Sequence, residues 1–488
     1  MKTDRTIAEG PFEPTWESLR TYVCPDWFRD AKFGIWSHWG PQSVPMFGDW
    51  YARMMYMEGT DRYLHHWRVY GHPSVHGYKD IVKLWKAERF DPEELMDLYV
   101  AAGARYFCAQ AVHHDNFDNW NSTHHRWNAV QVGPKKDIVG LWAQAARRRD
   151  LPFGVTEHLG ATFTWWMPNK GADKAGPYAG VPYDGTDPEF EDLYLPNRDA
   201  AETPKHMWDV HPWLTDNAWW HEQWFARVKD VIDQHQPDLL YSDCPDVPFG
   251  EVGLSAIAHL YNLSTARHGE NRAVYTQKNT DPDVFRVGVL DVERGVRKEA
   301  EERPWQTDTC LGGWFYDVRQ VYKTARHVVE MLVDIAAKNG SLLLNVPQLP
   351  DGTLDDECRF IVEGIGQWMD VNAEGIYDTR PWRVAVEGPT GQEGGAFKED
   401  QIEWTPQDFR FTAKGDAVYA FQMAHSGDGR ARIAALASGV AGKVTGVDLL
   451  GAAAHLSFSQ DADGLQIVGL PERPVGEGPQ CFRVRLGE

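Results

Sequence analysis

Four clusters along the chain hold residue types that chemistry needs. The first is Ser37-His38-Trp39-Gly40, followed closely by Asp49-Trp50-Tyr51. Fixed hydrogen-bonding groups beside flat apolar rings suit a sugar, whose hydroxyls want partners and whose C–H face wants a plane. The second is His113-His114-Asp115-Asn116-Phe117-Asp118-Asn119-Trp120, with His124-His125 nearby. Neighbouring residues at a strand end point to opposite faces, so His113 and His114 do not readily share a metal ion. No HExxH or similar zinc spacing occurs, and hydrogen bonding to a ligand is the favoured reading. The third is Pro237-Asp238-Leu239-Leu240-Tyr241-Ser242-Asp243. A carboxylate closing a buried strand is costly unless it is paired or used, which makes Asp243 a candidate nucleophile or base. The fourth is Asp291-Val292-Glu293-Arg294-Gly295, then Trp305-Gln306-Thr307-Asp308, with Trp314 beyond. Aromatic surroundings raise a carboxyl pKa, as a general acid near neutral pH requires. Two carboxylates with imidazole and aromatic neighbours are the equipment of a glycosidase. Each cluster also has a plainer reading: His38 as a packed core histidine, Asp243 as a helix cap, Glu293 as half of a surface ion pair.

The elements that would position these clusters are strands and helices in alternation. Apolar runs at 33–36, 106–109, 153–155, 239–241, 273–275 and 342–344 end in His, Asp, Glu, Gln or Asn. Continuous apolar strands suit a parallel sheet buried on both faces. Polar residues at run after run of strand ends favour a (β/α)8 barrel, whose active site gathers there. Six strands are legible; the missing two are expected within 60–90 or 290–315. Helices are expected at 92–104 (Leu95, Met96, Tyr99, Val100), at 138–149, and at 317–339. The last has Val318, Val321, Ala325, Val328, Val329, Leu332 and Ile335 on one stripe and Gly340 as its cap. Residues 385–400 read as a linker. From about 401, short alternating runs separated by Gly/Asp turns read as a β-sandwich. The expected class is α/β: an irregular (β/α)8 TIM-like barrel over residues 1–384, then a C-terminal β-sandwich domain over 385–488.

Composition narrows the partner. The 488 residues carry 49 Lys and Arg against 71 Asp and Glu, a net charge of −22, which disfavours nucleic acid and anionic membranes. Twenty-two tryptophans exceed the Phe or Tyr count and point either to sugar platforms or to a Trp-rich core. Six widely spaced cysteines show no CxxC pair, and no apolar signal run or membrane span is seen, so a cytoplasmic protein with reduced thiols is expected. No GxSxG elbow or Gly-rich nucleotide loop is present.

The segment Trp27–Gly40 with Ser43-Val44-Pro45 and Asp49-Trp50-Tyr51 closely resembles the opening of the glycoside hydrolase family 29 α-L-fucosidases. So do His113–Phe117 through Trp127-Asn128 to Gly133–Asp137, Lys338–Val346 with Asp351-Gly352, and Ile365–Trp368 with Ile376-Tyr377 and Thr379–Trp382. The likeness spans roughly residues 15–385. It implies a retaining exo-glycosidase acting on a fucosylated oligosaccharide or glycoconjugate, with no metal and no cofactor. It implies Asp243 as nucleophile, and His38, Trp50, Tyr51, His113, His114 and His158 as substrate-binding; Asp49, and Trp305 and Trp314 beside the catalytic loop, are expected to bind substrate as well. Two departures stand out: Asp49 where many members have Glu, and Gln306 where many have an acidic residue. Glu293 is the expected acid/base and Asp308 the second choice. Trp165 and Trp166, in the loop region 160–215, are expected as outer platforms. The rivals are an α-L-galactosidase on the same scaffold, a fucose-binding pseudoenzyme prompted by Gln306, and a metal-dependent hydrolase built on the histidines. Self-association is left open.

Overall fold

The computed structural model describes residues 5–197, 208–453 and 456–487. Eight parallel strands close into a barrel in chain order: β1 (Phe33–Ser37), β2 (Tyr106–Val112), β3 (Phe153–Glu157), β4 (Leu239–Ser242), β5 (Val274–Gln277), β6 (Val289–Asp291), β7 (Trp305–Cys310) and β8 (Gly340–Asn345). β1 pairs with β8 to shut the ring, Phe33 opposite Leu342. All eight strands are buried along their whole length, the pattern of a sheet covered on both sides. The two strands that the apolar pattern misses are β6 and β7. β6 has only three residues, and β7 reads Trp-Gln-Thr-Asp-Thr-Cys, polar because its side chains meet one another inside the barrel. There Tyr106 Oη donates to Gln306 Oε1 at 3.0 Å, and Gln306 Nε2 donates to Asp291 Oδ2 at 2.7 Å. Gly34 makes room for this ladder, since a Cβ there would lie 2.3 Å from the Tyr106 ring.

Helices 92–101 and 138–147 form where expected, and they bury Leu95, Met96 and Tyr99, and Ile138, Trp142 and Ala145. The helix expected from 317 starts later. Thr324 caps it by accepting from His327 N, and the helix runs from Ala325 to Ala337. Val318 and Val321 are therefore not core residues; they are 61% and 88% exposed on a loop at the barrel mouth. Gly340 does not cap the helix either. Asn339 takes the left-handed turn (φ 68°) and Gly340 opens β8.

The C-terminal part is a sandwich of two antiparallel sheets. The larger contains β9 (Arg380–Glu387), β10 (Phe409–Lys414), β11 (Ala417–Gln422), β13 (Val444–Leu449) and β16 (Gln480–Leu486), in the order β13-β16-β11-β10-β9. The smaller runs β12 (Arg430–Ile433), β15 (Gly464–Val468), β14 (Ser457–Asp461). β9 crosses the expected boundary at 384/385. On β11, Tyr419 and Phe421 join the barrel core while Val418 and Ala420 face the sandwich interior. This two-sided burial gives the strand its unbroken apolar sequence. A buried ion triad ties the parts together. Arg410 Nε on β10 and Lys338 Nζ both donate to Asp334, at 2.5 and 2.6 Å, with Asp334 on helix 325–337. All six cysteines are free thiols, and among the described residues no helix is long and apolar enough to cross a membrane.

Candidate active site

At the C-terminal ends of the strands lies one cavity of about 920 Å³. Among its lining residues are His38, Asp49, Trp50, His113, His114, His158, Asp243, Glu293 and Trp314, so nearly every predicted site residue converges there. A parallel barrel makes this inevitable, because residues just past strand ends share one face.

His38 follows β1, and its backbone N–H is held by Asn345 Oδ1 at the end of β8 (2.9 Å). Its ring meets Trp36, His113, His158, Trp314 and Phe315, and among the described residues neither ring nitrogen has a hydrogen-bond partner. Gln42 fixes His113: its Oε1 accepts from Ala52 N, so its Nε2 faces His113 Nδ1 at 2.7 Å. Nδ1 is then the acceptor, and Nε2 carries the proton toward the pocket. His114 Nδ1 donates to the His158 carbonyl at 2.6 Å. The loop bearing His113 and His114 is clamped from below. Arg227 pairs with Asp118 and donates to Asn116 Oδ1 at 2.5 Å, while Asn116 turns the chain at φ 64°. Burial pushes the pKa of His38, His113 and His158 down, and neighbouring imidazoles push the same way on all three. Neutral imidazoles can both donate and accept, as recognition of several hydroxyls requires.

Trp50 also has a left-handed backbone (φ 57°), and its ring packs against those of Trp165, Trp208, Trp213 and His114. Asp49 accepts from Trp50 N at 2.8 Å, and burial pushes its carboxyl up to about 7. Tyr51 is not a pocket residue. It turns the other way, fully buried, with its hydroxyl 2.9 and 3.2 Å from Nδ1 of His65 and His66 and its ring against Phe47.

Asp243 emerges just after β4, with its backbone N–H on Glu157 O. Oδ2 lies 3.1 Å from His158 Nδ1 and 3.3 Å from His114 Nε2, and Oδ1 accepts from Lys278 Nζ at 2.6 Å. Lys278 also donates to Glu293 Oε2 in a short ion pair. One ammonium therefore bridges both carboxylates, which puts their nearest oxygens at most roughly 5 Å apart. The two acids are driven apart. Burial raises Asp243, but Lys278 and the hydrogen bonds from His114 and His158 more than offset it and hold the carboxyl well below its usual range. Burial raises Glu293 too; Lys278 opposes and the charges of Asp308 and Asp243 reinforce, leaving it at about 7. Environment thus splits the two carboxyls, one held ionised and one held protonated toward neutral pH.

Three expectations need correction. Trp305 is not beside the catalytic loop. It starts β7 at the barrel floor, buried, with its indole N–H on Lys338 O, because strand C-termini and not N-termini face the site. Trp165 and Trp166 are not outer platforms: both are fully buried, Trp165 behind Trp50 and Trp166 among Tyr56, Tyr78 and Tyr194. Residues 198–207 of that loop region lie outside the described residues. Gln306 points into the barrel interior, below the pocket, so it does not occupy an acid/base position. Asp308 does reach the pocket, where Oδ2 accepts from Tyr241 Oη at 3.0 Å.

Lys278 was the main omission of the sequence reading. It is the first residue after β5, so the strand-end rule that selected Asp243 applies to it equally. Trp208, Trp213 and Phe397 also line the cavity, and they come from loops without a periodic signal. Among the described residues, His113, His114 and His158, and separately His38, Asp49 and His113, hold potential metal-ligand atoms within 4.8 Å of one another. The expectation from strand alternation that His113 and His114 point apart does not hold, because both lie past the end of β2 and their ring centroids are 4.6 Å apart.

A family profile described as Alpha-L-fucosidase matches residues 1–374. The tissue alpha-L-fucosidase of Rattus norvegicus is 27% identical over 485 residues, covering 97% of this chain and 91% of that protein. The plasma alpha-L-fucosidase of Homo sapiens is 28% identical over 387 residues, 76% of this chain and 73% of that protein. The crystal structure of Thermotoga maritima alpha-fucosidase in complex with fucose shares the fold, with a TM-score of 0.73 and 23% identity, covering 97% of this chain and 100% of that chain. With its barrel, its β-sandwich and its convergent carboxylates, the chain belongs to the α-L-fucosidase family of glycoside hydrolases.

Proposed function

We propose that this protein is an exo-acting, retaining α-L-fucosidase that releases terminal α-L-fucose from oligosaccharides or glycoconjugates by double displacement. The observation that carries this reading is the Lys278 bridge between a strongly acidic Asp243 and a near-neutral Glu293. Asp243 attacks the anomeric carbon as Glu293 protonates the departing oxygen. The fucosyl group is then an ester on Asp243. Glu293, now ionised and held by Lys278, takes a proton from water, and the water opens the ester with return of the starting configuration. His38, His113 and His158 offer donors and acceptors to the hydroxyls, and Trp50 and Trp314 offer apolar surface. The names of the relatives and the fucose-bound neighbour support L-fucose as the glycone.

The test combines product stereochemistry with one variant. NMR of the first-formed sugar should show the α-anomer; the β-anomer would overturn retention. Glu293→Ala should slow a fucosyl disaccharide by about 10²–10⁴-fold while sparing an activated aryl fucoside far more, and azide should restore turnover as an azide adduct. Equal loss on both substrates with no azide effect would move the acid/base role away from Glu293, and Asp308→Asn is the companion variant. Release of the aryl group by the wild-type protein separates an enzyme from a binding-only protein.

A further inference from the structure

Glu293 lies two residues beyond β6, the shortest strand of the barrel, in a loop that forms no helix before β7. On the barrel side β7 holds the backbone of this loop, with Val292 N on Gln306 O at 2.9 Å, Arg294 N on Asp308 O at 2.8 Å and Gly295 N on Thr307 Oγ1 at 3.0 Å. A second hold comes from the segment after β9, which returns to the same loop. Gly395 and Val296 exchange both backbone hydrogen bonds (2.8 and 3.1 Å), Phe397 N donates to Glu293 O at 3.0 Å, and Lys398 N donates to Arg294 O at 3.0 Å. The contact is backbone on backbone: a Cβ at Gly295 would sit 2.8 Å from Gly395 O. Glu399 pins the end of this strap. Its side chain is 6% exposed; Oε1 accepts from Arg294 Nε at 2.5 Å and from Lys323 Nζ at 3.0 Å, and Oε2 accepts a short hydrogen bond from Thr309 Oγ1. Arg294 adjoins Glu293, Thr309 adjoins Asp308 on β7, and Lys323 also holds Cys310 O at 2.7 Å. One buried carboxylate thus joins the strap, the acid/base loop and the end of β7.

We propose that Glu399 is a positioning residue for proton delivery: through Arg294 and the strap it fixes the loop that aims the Glu293 carboxyl at the glycosidic oxygen. This rests on the reading of Glu293 as acid/base. Glu399 does not touch substrate, so its loss should leave binding and nucleophilic attack in place and misaim the acid. An activated aryl leaving group departs without much protonation; a sugar does not. A small displacement of a reacting group is enough to cost about 10²-fold.

The experiment measures kcat and KM for 4-nitrophenyl α-L-fucoside and for a fucosyl disaccharide in the wild type, Glu399→Ala, Glu399→Gln and Glu293→Ala. The alanine variant is expected to lose about 10–100-fold in kcat on the disaccharide and less than about threefold on the aryl substrate, with KM little changed. The glutamine variant keeps an acceptor for Arg294, so it should show the same split at smaller size, and it keeps the test open if the alanine variant does not fold. Equal losses on both substrates, or a wild-type ratio in the glutamine variant, overturn the proposal. If Glu293→Ala itself shows no split, the acid/base reading fails, and that outcome is distinct from a failure at Glu399 alone.

Discussion

Replacing Lys278 with methionine keeps an unbranched side chain, one atom shorter, and removes the charge that Asp243 and Glu293 share. Nζ is 2.6 Å from Asp243 Oδ1, and Lys278 and both carboxylates are largely buried. Charge centres about 4 Å apart at an effective dielectric near 20 interact by about 4 kcal/mol, equivalent to roughly 3 pKa units. The pocket opens to solvent, so about 2 units is the working figure. The sign is the same for both groups. Asp243, held well below its usual range chiefly against burial by Lys278, should move up. Glu293, already at about 7 with Lys278 opposing burial, should also move up. The active form needs Asp243 ionised and Glu293 protonated. Both limbs of the kcat/KM profile should therefore shift to higher pH, and on the acid limb activity should fall progressively toward about 10²-fold below wild type as Asp243 becomes protonated in the variant first. With no cation between them the two carboxyls will titrate as a pair, so the limbs are read as macroscopic values. The assay is kcat/KM for an aryl α-L-fucoside over a pH range that spans both limbs of both proteins, with Lys278→Arg as the charge-preserving control. An acid limb that stays within about half a unit of wild type would refute the claim that Lys278 governs the ionisation of Asp243.

Two further outcomes follow from the structure. Asp334→Ala leaves Arg410 and Lys338 buried without their carboxylate and should cost about 3–5 kcal/mol of stability, read as a lower urea midpoint with the aryl fucosidase activity per folded molecule retained. Burial opposes the ionised form of Asp334, yet Arg410 and Lys338 hold its pKa down, so the difference should persist above about pH 4 and narrow as pH falls through the lower folded pKa. Zinc added to the enzyme should inhibit competitively with the aryl fucoside through His113, His114 and His158, while chelator alone changes nothing. Activity lost on chelation and restored by zinc would instead favour a metal-dependent hydrolase.

Much of the site was legible because a barrel converts sequence position into spatial position. A polar residue directly after an apolar run faces the same mouth wherever the run lies, so His38, His113, His158 and Asp243 could be grouped without knowing the strand order. Lys278 obeys the same rule, but a lysine at a strand end has no local signal that it will pair with two carboxylates from other strands. The rule also explains the error at Trp305. An aromatic residue at the start of a strand sits at the opposite end of the barrel, and Trp305 was placed by its nearness in sequence to Glu293. Tyr51 and Trp165 were misplaced for a related reason. Composition cannot tell a ring that touches a ligand from the ring that supports it, and both are needed around Trp50.

The 22 tryptophans divide along that line: Trp36, Trp50, Trp208, Trp213 and Trp314 line the cavity, while others such as Trp142, Trp165, Trp166 and Trp305 pack the core. By itself the sequence determined the barrel and the sandwich and offered Asp243 and Glu293 as candidate carboxylates, because burial periodicity and residue chemistry are local properties. Tertiary structure alone decided that one lysine bridges those carboxylates, that Gln306 lies inside the barrel, and that a strap following β9 braces Glu293. Each of these depends on contacts between residues 15 to about 105 positions apart, and on charges that set each other's ionisation only once water is excluded from between them.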